Sequence, residues 1–512
     1  YKNTYGDIMA QINKRWEKWN ITANVGGSFN HMIQELTGYE GHLSSVPNLF
    51  TFGNIIQSGS NTKATQNGYI DDNQAIFATF QLGYNSMAYL DITGRNDWYS
   101  SLANTKSEKT GFFYPSIGLS AVVSEIFDLS KAKISFLKMR VSYSEVGNPP
   151  MRHITMPTYS IEGGKVSTSA RLLNPDLKPE RTKSFEVGMN MRMFGNLLNF
   201  DLTYYNSNTF NQFFNYTMPP SSGYSYYTLN GGKVNNWGIE ARLGINADLG
   251  PVKWNSNLTF TMNRNKVDYL LPEGATNPLT GEPIYITEIE PFNPQGSYKM
   301  IVKEGGTLSD IYVTGLKTDH KGNIKVNATT GAIEADPNTW MKAGSTAPRF
   351  NWGWNNSFSW KGVNLSFLID ARIGGVGVSA TQAKMDYYGT SKTSAIARDN
   401  GGVNINNGRL LAQDYYNVVG NGMTGVLANY VYSMTNVRLR EATLGYTFPA
   451  KWFNNQIQNL TVSLIGKNLF MFHNKAPFDP ELSASTGTYY QGFDYFMQPS
   501  VRSIGFSVKF QY

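Results

Sequence analysis

The chain of 512 residues is rich in aromatic residues (14%), poor in charged ones (16%) and free of cysteine. The absence of cysteine excludes a disulfide framework and thiolate metal sites. The 44 Lys and Arg exceed the 37 Asp and Glu, but no basic run or basic helix stands out, which argues against a nucleic acid partner. No stretch approaches the roughly 18 consecutive apolar residues that indicate a transmembrane helix.

The chain starts at Tyr1, without an initiating methionine and without the basic and apolar segments of an export signal. We therefore expect the export signal to lie upstream and the chain to be the C-terminal part of a longer exported protein. Its length would allow several globular domains, but large β-barrels also reach this size as one unit.

Alternation of apolar and polar side chains with a period of two runs along much of the chain and predicts about fourteen strands. Their apolar positions span residues 21–29, 76–84, 88–92, 117–123, 137–143, 185–193, 198–204, 237–245, 254–262, 350–360, 363–369, 437–448, 460–464 and 504–512. Long loops are predicted up to about Asn73, over residues 210–232 and 267–347, and up to about Tyr430. A break in the alternation at Arg440 and Glu441 predicts a β-bulge.

The central hairpin shows the pattern most clearly. Every second residue from Phe185 to Met193 is apolar, and after a turn at residues 194–196 the pattern returns from Leu198 to Tyr204. Arms of about ten residues can cross a hydrocarbon layer when tilted, with their polar face towards water. The same pattern suits half of a soluble sandwich, whose apolar face packs against a second sheet. The hairpin alone is compatible with both folds.

The lengths of the connections separate these alternatives. Links after the even-numbered predicted strands are short, whereas links after the odd-numbered ones run from about 14 to about 80 residues. This alternation is typical of outer-membrane barrels, which have short periplasmic turns and long outer loops. A soluble sandwich has no reason to show it. The sequence therefore predicts an all-β fold, a transmembrane antiparallel β-barrel whose closure pairs every strand edge.

A family resemblance rests on specific segments. Residues 173–182 (LNPDLKPERT), followed by FEVG at 185–188, resemble the signature of TonB-dependent outer-membrane receptors. The matching positions are Asn174, Pro175, Leu177, Pro179, Glu180, Glu186 and Gly188. Residues 137–148, 235–240, 437–446, 467–469 and 478–481 are similar to the SusC/RagA-like branch of Bacteroidetes, in family order along nearly the whole chain.

The resemblance implies a barrel of about 22 strands closed by an N-terminal plug, with residues 1–512 as its C-terminal portion and the plug and first strands outside this sequence. It implies import of oligosaccharides or peptides across the bacterial outer membrane. The implied partners are a SusD-like surface lipoprotein, TonB–ExbB–ExbD acting through the plug, and the surrounding outer-membrane lipid. No cofactor is implied.

The loops of residues 147–180 and 209–233 correspond by strand order to the place where this family holds its lid. Aromatic side chains of the second loop could contact substrate or lid, because they combine a large contact area with a polar handle. These candidates are Phe210, Phe213, Phe214, Tyr216, Tyr224, Tyr226 and Tyr227. For each of them, packing against the lid or ordering of the loop is the competing interpretation.

Four charged residues, Glu240, Arg242, Asp370 and Arg372, are predicted to face the barrel lumen. Each occupies a polar position of an alternating strand. Salt bridges across the barrel wall or to the plug compete with substrate binding as their role.

Little in the sequence supports catalysis, so no enzyme activity, catalytic residue or metal site is predicted. The histidines are scattered without metal-binding spacing, at His31, His42, His153, His320 and His473. Residues 374–377 (GGVG) end a strand and open no helix, which argues against phosphate binding. Residues 319–322 and 399–402 suit turns better than a calcium site. Asp479 and Glu481 lack a neighbouring nucleophile.

Two alternatives to the importer of oligosaccharides or peptides stay open. One is a siderophore or cobalamin receptor of the same architecture. The other is a structural or adhesin-like barrel that transports nothing. The sequence does not distinguish substrates, because a fold does not fix its cargo.

Overall fold

The computed structural model describes residues 1–57, 62–156, 159–162, 165–168, 171–290, 296–406, 408–454, 456–481 and 491–511. Within these ranges most of the regular structure is β-strand, with five short α-helices. The chain divides into two compact units. Unit 1 comprises Tyr1–Ala121, Val141–Phe185 and Thr209–Gly232, and unit 2 comprises Val122–Arg140, Glu186–Asn208 and Lys233–Tyr512.

The main sheet has sixteen strands. Fifteen long strands follow one another in the order of the sequence, and the short strand Arg171–Leu172 lies off this path and pairs in parallel with the ninth. The long strands are β1 Lys2–Trp16, β2 Trp19–Glu40, β3 Lys63–Tyr84, β4 Ala88–Tyr99, β5 Phe112–Val122, β6 Ile134–Asn148, β7 Glu180–Met193, β8 Leu198–Thr217, β9 Tyr226–Leu249, β10 Val252–Tyr269, β11 Phe350–Trp360, β12 Val363–Ile373, β13 Asn436–Phe448, β14 Asn459–Asn474 and β15 Ser503–Gln511. The pairs of long strands within unit 1 and within unit 2 are antiparallel.

The other elements are short. The α-helices are α1 Ser107–Thr110, α2 Val123–Ile126, α3 Ala380–Tyr387, α4 Lys392–Asp399 and α5 Ala412–Val419, and the 3₁₀ turns are Phe52–Asn54, Ser100–Leu102, Ser130–Ala132, Pro220–Ser222, Gly422–Thr424, Leu427–Tyr430 and Ala450–Phe453. Further strands are Tyr159–Glu162, Lys165–Thr168, Glu288–Ile289, Tyr298–Met300, Val302–Lys303, Asp310–Leu316, Ala335–Ser345, Val376–Ser379, Val403–Ile405, Gly408–Leu410, Val431–Ser433 and Phe493–Asp494. Among the described residues, no helix is both long and apolar enough to cross a membrane.

The fourteen predicted strands are confirmed, since each coincides with a long strand of the sheet; only Val123, predicted as the end of a strand, instead begins α2. Only Tyr512, at the end of the last segment, falls outside the described residues. The prediction missed β1, which pairs with β2 from Lys2 to Trp16. Its alternation is blurred because Met9 is apolar on the polar face and Lys14 is charged on the apolar face, between Ile8 and Trp16.

The long loop predicted to reach Asn73 is largely wrong. Strands β2 and β3 have 22 residues each and stay paired from Trp19 opposite Tyr84 to Glu40 opposite Lys63. At about 3.3 Å per residue each strand is about 70 Å long, more than twice the hydrocarbon thickness of about 30 Å. In the distal half, apolar residues such as Ile33 and Leu36 fall on both faces among polar ones, so the segment gives no alternation signal.

The loop predicted over residues 210–232 is also mostly strand. β8 continues to Thr217 and β9 begins at Tyr226, so the connection shrinks to the residues between them. The dense aromatic and amide side chains of this segment obscured its period.

Large apolar side chains stay exposed along one face of the sheet. In unit 2, Leu444 lies opposite Leu464, and Leu464 lies opposite Phe506. Their side chains are 54%, 57% and 80% exposed. A soluble sandwich would bury such a row under a second sheet, whereas lipid covers it in a membrane barrel.

Aromatic side chains gather beside the short turns of unit 2. Trp254 stacks on Phe358 with ring centroids 6.2 Å apart, and Tyr446 meets Phe448 edge to face at 4.9 Å. Trp360 ends β11 at the adjacent turn and is half exposed. Such rings suit the boundary between hydrocarbon and water, where an apolar body can sit beside polar groups.

Two polar residues on the apolar face are covered by indoles. Ser256 and Asn356 lie directly opposite each other and are buried. The indole N–H of Trp354 donates to Ser256 Oγ at 3.0 Å, and that of Trp254 donates to Asn356 Oδ1 at 3.2 Å. The hydrogen bonds compensate part of the cost of placing these polar groups in an apolar setting.

The long connections of unit 2 build a hydrophobic core of their own, which we call the loop core. It draws on the connections after β10, β12 and β14, which the sequence predicted only as loops with weak strand signals. Its fully buried members include Tyr298, Met300, Ile311, Val378 and Leu427. The flanking helices begin at capping serines, whose Oγ atoms accept backbone N–H groups near the first turn of α3 and α4.

Truncating Leu427 to alanine should loosen the loop core, because this side chain is fully buried. Large-to-small core substitutions of this kind cost about 2–5 kcal/mol. Limited proteolysis and hydrogen exchange of the complete protein should show faster cleavage and exchange in residues 298–333 and 376–430. The matched control is Leu411→Ala, since Leu411 is 66% exposed. Equal protection in the two variants would contradict a packed loop core.

Candidate functional site: the polar face of the sheet

The strand register of unit 2 brings the four charged residues predicted to face the lumen onto one face. Directly paired residues point to the same side of a sheet. One row of paired positions runs through Glu240, Thr261, Asn351 and Arg372, and the next through Arg242, Thr259, Gly353 and Asp370. We call this side the polar face. That it borders an aqueous lumen stays a prediction.

Asp370 and Arg372 line a cleft of about 440 Å³ on the polar face, together with Asn351, Asn436 and Glu481. The Nη2 group of Arg372 donates to the carbonyl oxygen of Thr346. Arg372 therefore helps to fix the connection that precedes β11.

Asp370 belongs to a cluster of ion pairs. Arg440 Nη2 lies 2.5 Å from Asp370 Oδ2, and Arg440 Nη1 donates to Glu481 Oε2 at 2.8 Å. Arg438 Nη1 lies 3.1 Å from the same Glu481 oxygen and Arg438 Nη2 lies 3.7 Å from Asp479 Oδ1. The cluster joins β12 and β13 to the connection after β14, so it matches the salt-bridge role that competed with substrate binding for Asp370.

The predicted bulge at Arg440 and Glu441 is confirmed by the register. Ile369 pairs with Leu439, whereas the preceding Leu368 pairs with Glu441, so Arg440 is the extra residue. A bulge of this kind re-aims a side chain. Here it leaves the Arg440 guanidinium against Asp370 and Glu481.

The carboxylates of the connection are held in their charged form. The hydrogen bond from Arg440 lowers the pKa of Glu481 below its ordinary value. Burial opposes this effect, and the charge of Arg438 assists it. Burial alone would raise the pKa of Asp479, but hydrogen bonds from Ser500 and the Glu481 amide and the charge of Arg438 lower it. Two carboxylates with lowered pKa values, both neutralised by guanidinium groups, do not provide a general acid.

Two glycines of the family motifs make room for side chains that cross a strand. A Cβ on Gly188 would lie 2.5 Å from the guanidinium of Arg140, which passes over β7 and donates to Thr203 on β8 at 2.5 Å. A Cβ on Gly238 would lie 2.5 Å from the hydroxyl of Tyr205, which crosses β9 and donates to Asn263 on β10 at 3.0 Å. Long side chains thus join strands that are not neighbours.

The signature segment of residues 173–182 ties loops together in unit 1. Asn230 Oδ1 accepts the amide of Lys178 at 2.7 Å, and Asn230 Nδ2 donates back to the Lys178 carbonyl at 2.7 Å. Glu180 Oε1 accepts the amide of Phe213 at 3.1 Å. Leu177 is buried, and Asn174 donates to the carbonyl of Thr228 at 3.0 Å.

The carbonyl of Pro175 accepts the amide of Lys106 at 3.0 Å, which ties the signature to the segment before α1. Pro179 directly precedes β7, while Glu186 lies within β7 and is exposed. The described contacts of the signature are therefore structural, and they fix where β7 begins.

The aromatic candidates divide between strands and turn. Phe210, Phe213, Phe214 and Tyr216 lie in β8, Tyr226 and Tyr227 in β9, and Tyr224 in the turn between them. Lys183 Nζ lies 6.0 Å from the ring centroid of Phe210, and the ring of Phe214 lies against Gly232. Tyr226 is half exposed. Contact of these rings with substrate or lid stays a prediction.

Sequence reasoning missed a buried carboxylate in the loop core. Asp386 Oδ1 accepts Gln382 Nε2 at 2.9 Å and the hydroxyl of Ser391, and so joins α3 to the start of α4. Burial, assisted by the charge of Asp386, raises the pKa of Tyr416 and of Tyr432 to about 12. These hydroxyls stay protonated at neutral pH, which suits a structural contact. Asp386 lies in α3, where apolar residues do not recur with a clear helical spacing, and it belongs to no recognisable sequence motif.

The other residues weighed for chemistry occupy turns. Asp319 Oδ1 accepts the amides of Lys321 and Asn323, so this carboxylate is occupied by backbone groups. Gly401 and Gly402 follow α4 with positive φ and end that helix. Residues 374–377 connect β12 to the strand Val376–Ser379. Within the described ranges, no group of three or more His, Asp or Glu side chains could hold a metal ion.

The chain is similar to known proteins along its whole length. The family described as TonB dependent receptor-like, beta-barrel, matches residues 1–288. TonB-dependent receptor P3 of Formosa agariphila is 23% identical over 99% of this chain and 52% of its own length. TonB-dependent receptor P26 of the same organism is 26% identical over 96% of this chain and 52% of its own length. The chain thus spans about half the length of the curated relatives it matches.

Two solved structures share the fold. The RagAB peptide transporter is 18% identical, with a TM-score of 0.72 over 94% of this chain and 52% of its own chain. The RagAB peptide importer in the closed-closed state is 17% identical, with a TM-score of 0.75 over 99% of this chain and 55% of its own. At these identities the similarity establishes the fold.

The substitution Glu481→Gln should loosen the connection after β14, because it removes the acceptor shared by Arg438 and Arg440. Since the pKa values of Asp479 and Glu481 are lowered, the ion pairs contribute stability above the ordinary carboxylate pKa of about 4 and lose it as pH falls through the lowered values. The protection of the amides of residues 475–481, measured relative to the intrinsic exchange rate at each pH, should therefore be lost only in strong acid. In Glu481→Gln this protection should already be lower at pH 7.

The control for this experiment is Glu273→Gln, an exposed glutamate in another connection of unit 2. Its exchange profile should follow that of the parent protein at every pH. Unchanged exchange of residues 475–481 in Glu481→Gln would show that the ion pairs do not hold the connection.

Proposed function

This chain belongs to the TonB dependent receptor-like β-barrel family, and on that premise we propose that it is the C-terminal barrel portion of an outer-membrane importer. The proposed cargo is an oligosaccharide or a peptide. The proposed driving force is TonB–ExbB–ExbD, acting through a plug carried by the remaining part of the protein. The proposal adds a SusD-like surface lipoprotein as lid and assigns no enzyme activity.

One observation carries the proposal, namely the two unlike faces of a single antiparallel sheet. One face keeps apolar rows such as Leu444, Leu464 and Phe506 exposed, while the other carries paired polar positions. In a membrane, only strands with all backbone groups paired can cross, and a polar inner face then borders water. These properties suit a pore that carries hydrophilic cargo.

The fold similarity supports the choice of cargo. RagAB is described as a peptide transporter and importer, and it shares the fold at TM-scores of 0.72 and 0.75. The loop core and the long β2–β3 pair give the protein large structured surfaces outside the segments that would cross the membrane. Surfaces of this size suit capture of a bulky molecule by barrel and lid together.

Deleting the complete gene that carries this chain should abolish uptake of a labelled oligopeptide or oligosaccharide, and re-expression should restore it. The uptake should stop when a protonophore collapses the proton gradient, because the proposed import is driven through TonB. The assay compares a panel of peptides, neutral and acidic oligosaccharides, ferric siderophores and cobalamin in whole cells.

The control strain expresses a protein whose plug has lost its TonB-contacting segment. If only an iron chelate or cobalamin is taken up, the protein is a siderophore or cobalamin receptor and the proposed cargo is wrong. Normal uptake of every compound in the deletion strain, together with loss of cell adhesion, would favour the non-transporting barrel.

A further inference from the structure

A second cleft on the polar face of unit 2 is strongly basic. It has a volume of about 470 Å³ and is formed by β6 to β10. Its lining includes Lys138, Arg192 and Arg242 as bases and Asp201 as the acid, with the amides of Asn190 and Asn257 between them. The sequence did not single out this cleft, because its residues are dispersed over five strands.

Neighbouring groups hold the arginine side chains in place. Arg242 donates from Nε and Nη2 to Asn257 Oδ1, at 3.2 and 2.8 Å. The guanidinium carbon of Arg192 lies 5.3 Å from the ring centroid of Phe136. A guanidinium has five donors in a planar fork. Arg242 uses two of its N–H groups on Asn257 and keeps the others for a further acceptor. The ring of Phe136 contacts the plane of the Arg192 guanidinium, so the N–H groups at its edge can also donate to a further acceptor.

Arg140 adds a fourth positive charge at the edge of the cleft. It donates to Asn190 at 2.6 Å and to Thr203 at 2.5 Å, and lies 3.5 Å from Asp201. Asp201 is therefore already shared with a guanidinium outside the cleft lining. Asp201 thus supplies one negative charge against the three guanidinium groups of Arg140, Arg192 and Arg242.

The contrast with the ion-pair cluster indicates what this cleft lacks. There, Arg438 and Arg440 meet the carboxylates of Asp370, Asp479 and Glu481. In the basic cleft, the two lining guanidinium groups of Arg192 and Arg242 outnumber the one lining carboxylate, Asp201, and amide groups complete the wall. A cleft lined by one sign of charge concentrates ions of the opposite sign.

We propose that this basic cleft binds a carboxylate of the transported oligomer, so that the importer favours acidic cargo. The inference rests on the proposed function and narrows its substrate class. Arg192 and Arg242 bind the carboxylate by charge-assisted hydrogen bonds. Acidic peptides and uronic acid oligosaccharides share this chemistry, and the experiment separates them.

The test uses the complete protein in the native outer membrane and measures uptake at low substrate concentration. The probes are two pairs of equal length, a glutamate-containing peptide against its glutamine analogue and a uronic acid oligosaccharide against its neutral analogue. In Arg242→Gln, uptake of the acidic member of the transported pair should fall about tenfold, the loss expected from one charge-assisted hydrogen bond. Uptake of the neutral member should change less than about twofold.

The matched control is Arg409→Gln in the loop core, where Arg409 Nε donates to Asn404 Oδ1 at 3.0 Å just as Arg242 donates to Asn257. This variant should transport both members of the pair like the parent. Arg192→Gln is a second variant in case Arg242→Gln does not reach the membrane. All uptake values are normalised to the amount of protein at the cell surface.

The outcomes separate the two proposals. If the parent protein imports none of the four probes, the proposed function fails. If the parent imports a pair without preferring its acidic member, or if Arg242→Gln lowers both members equally, the importer stands and the carboxylate site is overturned. An equal loss would mean that the basic cleft packs against another part of the protein.

Discussion

The two-residue period of the β-strand is the constraint from which most of this structure follows. Because paired residues point to the same side, the register of a few strand pairs decides the side of every residue in them. Leu444, Leu464 and Phe506 fall on one side, and Arg242 and Asp370 on the other. A shift of one residue in any pair would carry charge into the apolar row.

The sequence was most informative where one face of a strand carries apolar side chains and the other carries polar ones. There the period is a local property, and it located fourteen long strands and the bulge at Arg440. It failed where that contrast is weak. β1 carries Met9 and Lys14 on the faces opposite to those expected, and the distal halves of β2 and β3 mix polar and apolar residues on both faces.

Long-range packing lay beyond the sequence for a different reason. Arg440 and Glu481 are 41 residues apart, and Tyr298 meets Phe493 with ring centroids 4.7 Å apart across nearly two hundred residues. No local period links such positions. The family signature was visible as a motif, but its contacts with Asn230 and Phe213 depend on how the loops of unit 1 fold.

Glycines and charged residues together make the polar face differ from one place to another. Gly188 and Gly238 remove a side chain so that Arg140 and Tyr205 can lie across a strand. The guanidinium groups are then either matched by carboxylates, as around Arg440, or surrounded mainly by amides, as around Arg242. The same sheet thus holds one electrostatically balanced cleft and one that is not balanced.

The length of β2 and β3 has a consequence for how this protein can vary. In their distal halves both faces mix polar and apolar residues, so no face there depends on being apolar throughout. Residues can be added to or removed from the distal ribbon, provided that both arms change together by an even number, without disturbing the inner halves near Trp19 and Tyr84. The distal ribbon is therefore a part of unit 1 in which an inserted epitope would leave the paired segment near Trp19 and Tyr84 unchanged.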